Sequence, residues 1–238
     1  MGYSVIDIET VPDRTVWMPT PKDQWEKGVE PFPPIWAHRV LCIGGCHLDQ
    51  DLGITSVSCY GLDGDLEKGI LEALGDHMKR GAGTLVTWNG RRFDLPVILL
   101  RAMHYGMSVP AAFGKDFRYR FSESGHLDLC DQMSDFGAAQ GFNLDNIAKV
   151  CGLPGKMGVD GSKVEDMHIT GKLDEIRRYC LTDCIQTAFV FMRWRLLSGW
   201  LDRAGYHKAA GVLFTYCAED ERFKELAEKS KRKTLLLG

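Results

Sequence analysis

Met1-Gly-Tyr-Ser-Val-Ile-Asp-Ile-Glu-Thr10 opens the chain. Its residues 3–8 predict a β-strand, because Val5, Ile6 and Ile8 supply β-branched bulk. Side chains alternate along a strand, so Ile6 and Ile8 share one face while Asp7 and Glu9 share the other. A strand this apolar is expected at the centre of a sheet, where unpaired acid is costly. A divalent cation is the natural compensation for the two carboxylates, since hard metals take oxygen ligands. An edge strand with a wet polar face is the alternative that this stretch alone leaves open.

The chain around it has 238 residues, which fits one large domain or one domain with appendages. Hydrophobic content of 45% and charged content of 26% are those of a soluble globular protein. A formal charge of −3 argues against a scaffold held to nucleic acid by bulk electrostatics, but leaves room for an enzyme with its acids gathered in one metal site. The eight cysteines form no C-x-x-C pair, and Cys180 and Cys184 stand one helical turn apart without a ligand cluster. They are expected as buried free thiols of a cytoplasmic protein. No secretory signal is expected from the N-terminal pattern, and no apolar run approaches the ~18 residues of a membrane span.

Residues 11–37 hold six prolines and three tryptophans, Trp17, Trp25 and Trp36. Such a stretch reads either as a loop pinned to the core by its aromatics or as a flap offering aromatic surface to bases. Residues 39–48 and 54–60 predict a hairpin that extends the first strand into an antiparallel meander. A helix is expected over residues 65–80 with Asp65 as cap, then a short strand over residues 84–88. Asn89-Gly-Arg-Arg-Phe-Asp94 follows and leads into an apolar helix over residues 95–105. Asp94 taken singly reads as a cap at that helix N-terminus. Arg91 and Arg92 are candidates for phosphate or for plain solvation. Residues 124–127 predict a last short strand, and Asn143 caps a short helix to Val150. Residues 152–161 are glycine-rich but lack the ending of a phosphate loop. Residues 173–197 form the longest helical pattern, and place Tyr179 and Asp183 on one face, about 6 Å apart along the axis. Taken singly, these read as a core tyrosine and an ion-pair partner for Arg178. The remainder is expected to be helical, ending in the basic run Lys229-Ser-Lys-Arg-Lys233.

Each acid has an ordinary explanation alone; the set is more specific. In order and spacing, Asp7-Ile-Glu9-Thr10, Asn89-Gly-Arg-Arg-Phe93-Asp94 and Tyr179-Cys-Leu-Thr-Asp183 resemble the three motifs of the DEDDy 3′–5′ exonucleases. The second motif has the form found in the proofreading domains of family B DNA polymerases, and the nearest relatives look like a stand-alone bacterial exonuclease group. The resemblance implies an α/β, ribonuclease H-like fold, a mixed five-stranded sheet flanked by helices. It would occupy residues 1–200, with the Pro/Trp-rich insertion at about 11–37, and residues 201–238 as a helical extension of the same domain.

The resemblance also implies chemistry. Two divalent ions, Mg2+ or Mn2+, would be held by Asp7, Glu9, Asp94 and Asp183, with Asp7 bridging them. They would acidify water, neutralise the phosphodiester and stabilise the leaving oxygen. Tyr179 would orient the attacking water, since a tyrosine with a pKa near 10 is a poor general base. A histidine-bearing branch would need His where Arg178 stands. Thr10, Asn89, Arg91, Arg92 and Phe93 would shape the site or contact the terminal nucleotide. The expected partner is single-stranded nucleic acid, DNA ahead of RNA, and no membrane. The competing readings are a 3′–5′ exoribonuclease trimming RNA, a non-catalytic nucleic-acid-binding domain, and a small-molecule metallohydrolase.

Overall fold

Strand β1 spans Tyr3–Pro12, β2 His38–Leu48 and β3 Ile54–Cys59, and the three pair antiparallel. On the other side of β1, β4 (Thr84–Thr87) and β5 (His126–Asp128) add in parallel. The order β3-β2-β1-β4-β5 makes β1 the central strand of a mixed sheet, as its apolar content predicts. This computed structural model describes residues 2–19, 31–61, 66–81, 83–158 and 163–238.

β1 runs beyond the predicted residues 3–8. A register shift between Glu9 and Thr10 lets Thr10, Val11 and Pro12 continue the ladder against Val40, Arg39 and His38. The extension comes from pairing with β2, a non-local contribution that propensity does not record, and Pro12 is tolerated because it ends the strand.

Helices cover both faces. α1 (Glu67–Lys79) and α2 (Asp94–His104) lie on one side, where Ile6, Ile8, Leu71, Leu74, Leu95 and Ile98 form a core. The Asp65 cap expected for α1 lies outside the described residues. Two short segments, α3 (Lys115–Arg118) and α4 (Leu129–Met133), bracket β5, and α5 spans Leu144–Val150. As predicted, the Asn143 side chain caps α5 by accepting from the Asn146 N–H. α6 (Val164–Ile169) leads into α7 (Leu173–Leu197), which crosses the opposite face of the sheet. Val5, Val86, Leu127, Ile185, Phe189 and Phe191 pack there. Each such side chain contributes about 1.5–3 kcal/mol of hydrophobic stabilisation.

α8 (Arg203–Glu219), α9 (Lys224–Lys229) and α10 (Arg232–Leu236) close the chain. Tyr206, Leu213, Phe223 and Leu235 share the α7 core. The basic run Lys229–Lys233 is docked: Lys231 N–H donates to Gly152 O (2.7 Å), and Arg193 donates to the carbonyls of Thr234 and Leu235.

A buried ionic network fixes the end of β1 against α1 and α2. Arg101 donates from Nη1 to Asp13 (2.8 Å), and from Nε and Nη2 to the two oxygens of Glu67 (2.8 and 2.6 Å). Glu67 also accepts from Val40 N–H and Tyr105 Oη. The charges are paired and hydrogen-bonded, which lets them stay buried.

Candidate active site

β1 and β4 pair only from Tyr3↔Thr84 to Val5↔Val86 and then part. The crevice beyond the carboxyl ends of parallel strands, where strand direction changes, is the usual ligand position of an open α/β sheet. Here it is a cleft of about 610 Å³ whose walls include Asp7, Glu9, Phe93, Tyr179 and Asp183.

Alternation along β1 turns Asp7 and Glu9 toward α7. Glu9 is buried, while Asp7 opens partly to the cleft. Asp94, the first residue of α2, is buried at the parting of the strands, and hydrogen bonds from its own N–H and that of Ile8 hold its carboxylate. Ile8 lies beyond the β1–β4 ladder, so its N–H is available to do so. Across the cleft, the Tyr179 hydroxyl donates to the Asp183 carboxylate one helical turn away, and Gln186 Nε2 donates to Asp183 Oδ1 at 3.3 Å. The structure thus brings Asp7 and Glu9 of β1 within 4.8 Å of one another, with Asp94 of α2 and Tyr179 and Asp183 of α7 near enough to interact with them electrostatically.

Their electrostatics are those of a site short of positive charge. Burial, then the charges of Asp94, Glu9 and Asp183, push the Asp7 carboxyl well above the usual range. Burial, then Asp183 and Asp94, does the same to Glu9. Burial lifts Asp94 to about 7 and Asp183 to about 6. Among the described residues no arginine or lysine is ion-paired with any of the four; Lys156 acts on Asp183 only from a distance. Four hard oxygen donors that repel one another fit Mg2+ or Mn2+. The Cys180 thiol lies close to Asp7 and Glu9, yet it donates to Asp7 O at 3.3 Å and burial raises its pKa. In the metal-free site it is a hydrogen-bonded partner of the β1 backbone.

The remaining predicted contacts divide. Asn89 sits at φ 62°, in the left-handed region. Asp128 holds this turn: its carboxylate accepts from Asn89 N–H (2.9 Å) and Arg91 N–H (2.8 Å) while capping α4. Gly90 is required here, since a Cβ would lie 2.5 Å from Thr87 Oγ1. Arg91 points inward, donating to Phe117 O and His126 O, whereas Arg92 is exposed. Phe93 lines the cleft with Phe32 and His38, their centroids 4.9–5.7 Å apart. The Thr10 hydroxyl is committed to His38 Nδ1 at 2.9 Å. His38 Nε2 must then donate to Pro33 O (3.0 Å), because a carbonyl only accepts. Burial lowers the His38 pKa, consistent with this neutral form.

Thus the returning end of the 11–37 insertion forms one wall of the cleft. Its outgoing end is tied to α6 by the Arg14–Glu165 pair at 2.9 Å. Trp25 and the rest of 20–30 lie outside the described residues. The sequence does not mark Asp128, Gln186, His38, Glu165 or Asp166 as site residues. Only the strand-to-helix position of Asp128 carried a local signal; the others arrive through long-range contacts.

A family model described as a predicted 3′–5′ exonuclease related to the exonuclease domain of PolB matches residues 30–231. The chain belongs to this family. The matched range begins after β1, so Asp7 and Glu9 enter the site on geometry. Among solved structures, the family B DNA polymerase of the hyperthermophilic archaeon Pyrobaculum calidifontis matches with a TM-score of 0.58 and 18% identity, over 91% of this chain. That likeness concerns the fold, and the match spans 29% of the polymerase chain. The sheet and its flanking helices are of the ribonuclease H-like kind. No curated protein matches the chain.

Proposed function

We propose that this chain is a DEDDy-type 3′–5′ exonuclease of the stand-alone bacterial kind, which hydrolyses single-stranded DNA from the 3′ end and releases nucleoside monophosphates. The observation that carries this reading is the convergence of Asp7, Glu9 and Asp183 on one cleft, with the buried Asp94 acting on Asp7 and Glu9, and without a paired arginine or lysine among the described residues. Two divalent ions bound there would offset phosphate charge and acidify water. Asp7, between the other three acids, is the candidate shared ligand; Glu9 and Asp183 complete one side and Asp94 the other.

Tyr179 positions the attacking water. Burial, then the negative charges of Asp183, Glu9 and Asp7, push its pKa above the ordinary tyrosine value. This favours a neutral phenol that acts by hydrogen bonding, since a neutral tyrosine is a poor proton acceptor. Phe93, Phe32 and His38 offer an apolar wall for the terminal base and keep water from it. The exposed Asp166 on α6 disfavours phosphate at that rim. The exposed Arg92, next to Phe93 in the chain, offers a positive charge to phosphate. Residues 1–200 and 201–238 are taken as one domain because Tyr206 and Leu213 share the α7 core. No helix among the described residues is long and apolar enough to cross a membrane. Eight free cysteines suit a reducing cytoplasm.

The test is a 5′-labelled single strand incubated with Mg2+ or Mn2+. A descending ladder that vanishes with chelator and with Asp7→Ala is the expected result; tight binding without product under either metal would sink the proposal. A matched RNA oligonucleotide degraded faster than its DNA counterpart would move the assignment to an exoribonuclease, since only the 2′-OH differs in the sugar.

A further inference from the structure

Outside the cleft, one surface concentrates aromatic and guanidinium groups without a role in the core. It is built by the segment joining α2 to β5, where Phe117-Arg-Tyr-Arg-Phe121 alternates rings and arginines. Phe117 is buried and stacks on His126 at 5.3 Å, anchoring the segment to the sheet. The rings that follow face outward: Tyr119 is 57% and Phe121 53% exposed, and Phe113 beside them 64%. Tyr119 and Phe121 have centroids 5.6 Å apart, and Phe121 meets Phe136 at 4.3 Å. The Arg118 guanidinium covers the Phe113 ring at 5.4 Å, and that of Arg120 covers Phe136 at 5.6 Å. Phe136 adopts φ 55°, a conformation costly for a bulky residue.

Arg92 links this ridge to the cleft. Its Nη2 would lie 3.5 Å from a Cβ on Gly137, the neighbour of Phe136, and the next residue in the chain, Phe93, lines the cleft. Arg120 is paired with Asp131 at 2.6 Å, but no carboxylate of the described residues is ion-paired with Arg92 or Arg118. Asp116 and Asp135 lie on the same segments, so the positive charge is local rather than a broad field. Exposed rings interleaved with unpaired guanidinium groups suit a ligand that alternates flat faces with single negative charges, which is the chemistry of a single-stranded nucleic acid.

We propose that this ridge, from Arg92 past Phe136 and Phe121 to Tyr119 and Phe113, holds the single-stranded tract upstream of the 3′ end. Bases stack on the rings, and Arg92 and Arg118 meet phosphates. The inference rests on the exonuclease reading, and gives that site a preference for substrates long enough to reach the ridge.

The test compares fluorescein-labelled oligothymidylates of twelve and three nucleotides by anisotropy in Ca2+, at several salt concentrations. Wild type should bind the longer strand more tightly. Tyr119→Ala/Phe121→Ala should reduce the ratio of the two affinities at least tenfold, and Tyr119→Trp/Phe121→Trp should keep it. Arg92→Ala and Arg118→Ala should each flatten the plot of log affinity against log salt by about 0.7 for the longer strand. A melting temperature matching wild type in the alanine pair, whose side chains are more than half exposed, shows that the fold is intact. Equal wild-type affinity for both lengths overturns the ridge while leaving the exonuclease intact. So does a double variant that retains the ratio, and so does a parallel loss for both strands. Failure of wild type to bind or cleave either strand overturns the exonuclease reading itself.

Discussion

Gly44 stands directly opposite Asp7 in the β1–β2 ladder, and its missing side chain is what lets α7 close over the acid. A Cβ there would lie 2.9 Å from Cys184 Sγ and 3.0 Å from Cys180 Sγ, with Leu181 at 3.3 Å. These residues occupy the turns of α7 that carry Tyr179 and Asp183. Gly44→Ala should therefore lift α7 from the sheet, costing about 1–3 kcal/mol through overpacking. A displacement near 1 Å at a reacting centre costs about a hundredfold in rate, so activity should fall at least tenfold. Removing the obstructing sulfur in Gly44→Ala/Cys184→Ala should restore part of both losses. Thermal melts and single-turnover rates check this; a double variant no better than the single would show that the contact is not the cause.

The crowded acids make a second expectation, for the metal-free protein. Asp94 titrates near 7 and Asp183 near 6, above an ordinary aspartate value of 3.8, because burial disfavours the charged form. An acid whose folded pKa is raised holds its proton better when folded. The associated stability is present below about pH 4 and is lost as pH rises through 6 to 7. Asp94→Asn removes that contribution, which amounts to about 1.4 kcal/mol for each tenfold difference in proton affinity between folded and unfolded chain. In chelator, the variant should therefore gain on wild type in melting temperature between pH 5 and pH 8. Mn2+ should raise wild type at pH 8 more than the variant. A difference that does not change with pH would contradict it.

Gln186 should prove a positioning residue. It is 1% exposed and uses both ends of its amide: Nε2 donates to Asp183 at 3.3 Å, and Oε1 accepts from Gly155 N–H at 3.0 Å. Partners behind a metal ligand are typically worth about 10–100-fold in metal affinity. Gln186→Leu should shift the Mn2+ midpoint for activity upward by that order, with partial rescue at high Mn2+. Loss of activity with an unchanged midpoint would assign Gln186 to packing alone.

What was legible in the chain was local. β-branched residues at alternate positions announced β1, and the four-residue spacing of Tyr179 and Asp183 placed both on one face of a helix that begins and ends where predicted. What was not legible depends on partners distant in sequence. Gly44 matters only once its register against Asp7 is known. Arg91 and Arg92 are equivalent in sequence, yet one is drawn inward by the carbonyls of Phe117 and His126. The same holds for the end of β1, which continues to Pro12 because β2 supplies the pairing.

Asp128 illustrates the limit of reading an acid as a cap. It does cap α4, but the same carboxylate also fixes the Asn89–Arg91 turn that leads into Asp94. Asp128→Ala would strand two N–H groups of a turn held at φ 62° and remove a helix cap. Losing the cap costs about 0.5–2 kcal/mol, and each buried unsatisfied donor about 1–3 kcal/mol. A destabilisation of at least about 2.5 kcal/mol is expected in denaturant unfolding, and Asp128→Asn should recover about half because its amide oxygen still accepts.

Tyr179→Phe separates positioning from proton transfer. The hydroxyl donates to Asp183, and the ring is half-buried in the α7 wall, so the variant should keep the fold and lose only the stability that this one bond contributes. One lost hydrogen bond to a charged group is worth about 1.5–3 kcal/mol, which corresponds to a fall in kcat of about 10–150-fold. In the metal-free site, burial and the neighbouring acids hold the tyrosine pKa above its ordinary value, which favours a neutral phenol. The pH dependence of kcat should then keep its form in Tyr179→Phe while its height drops. Disappearance of a basic limb in the variant would instead make the phenol a proton acceptor.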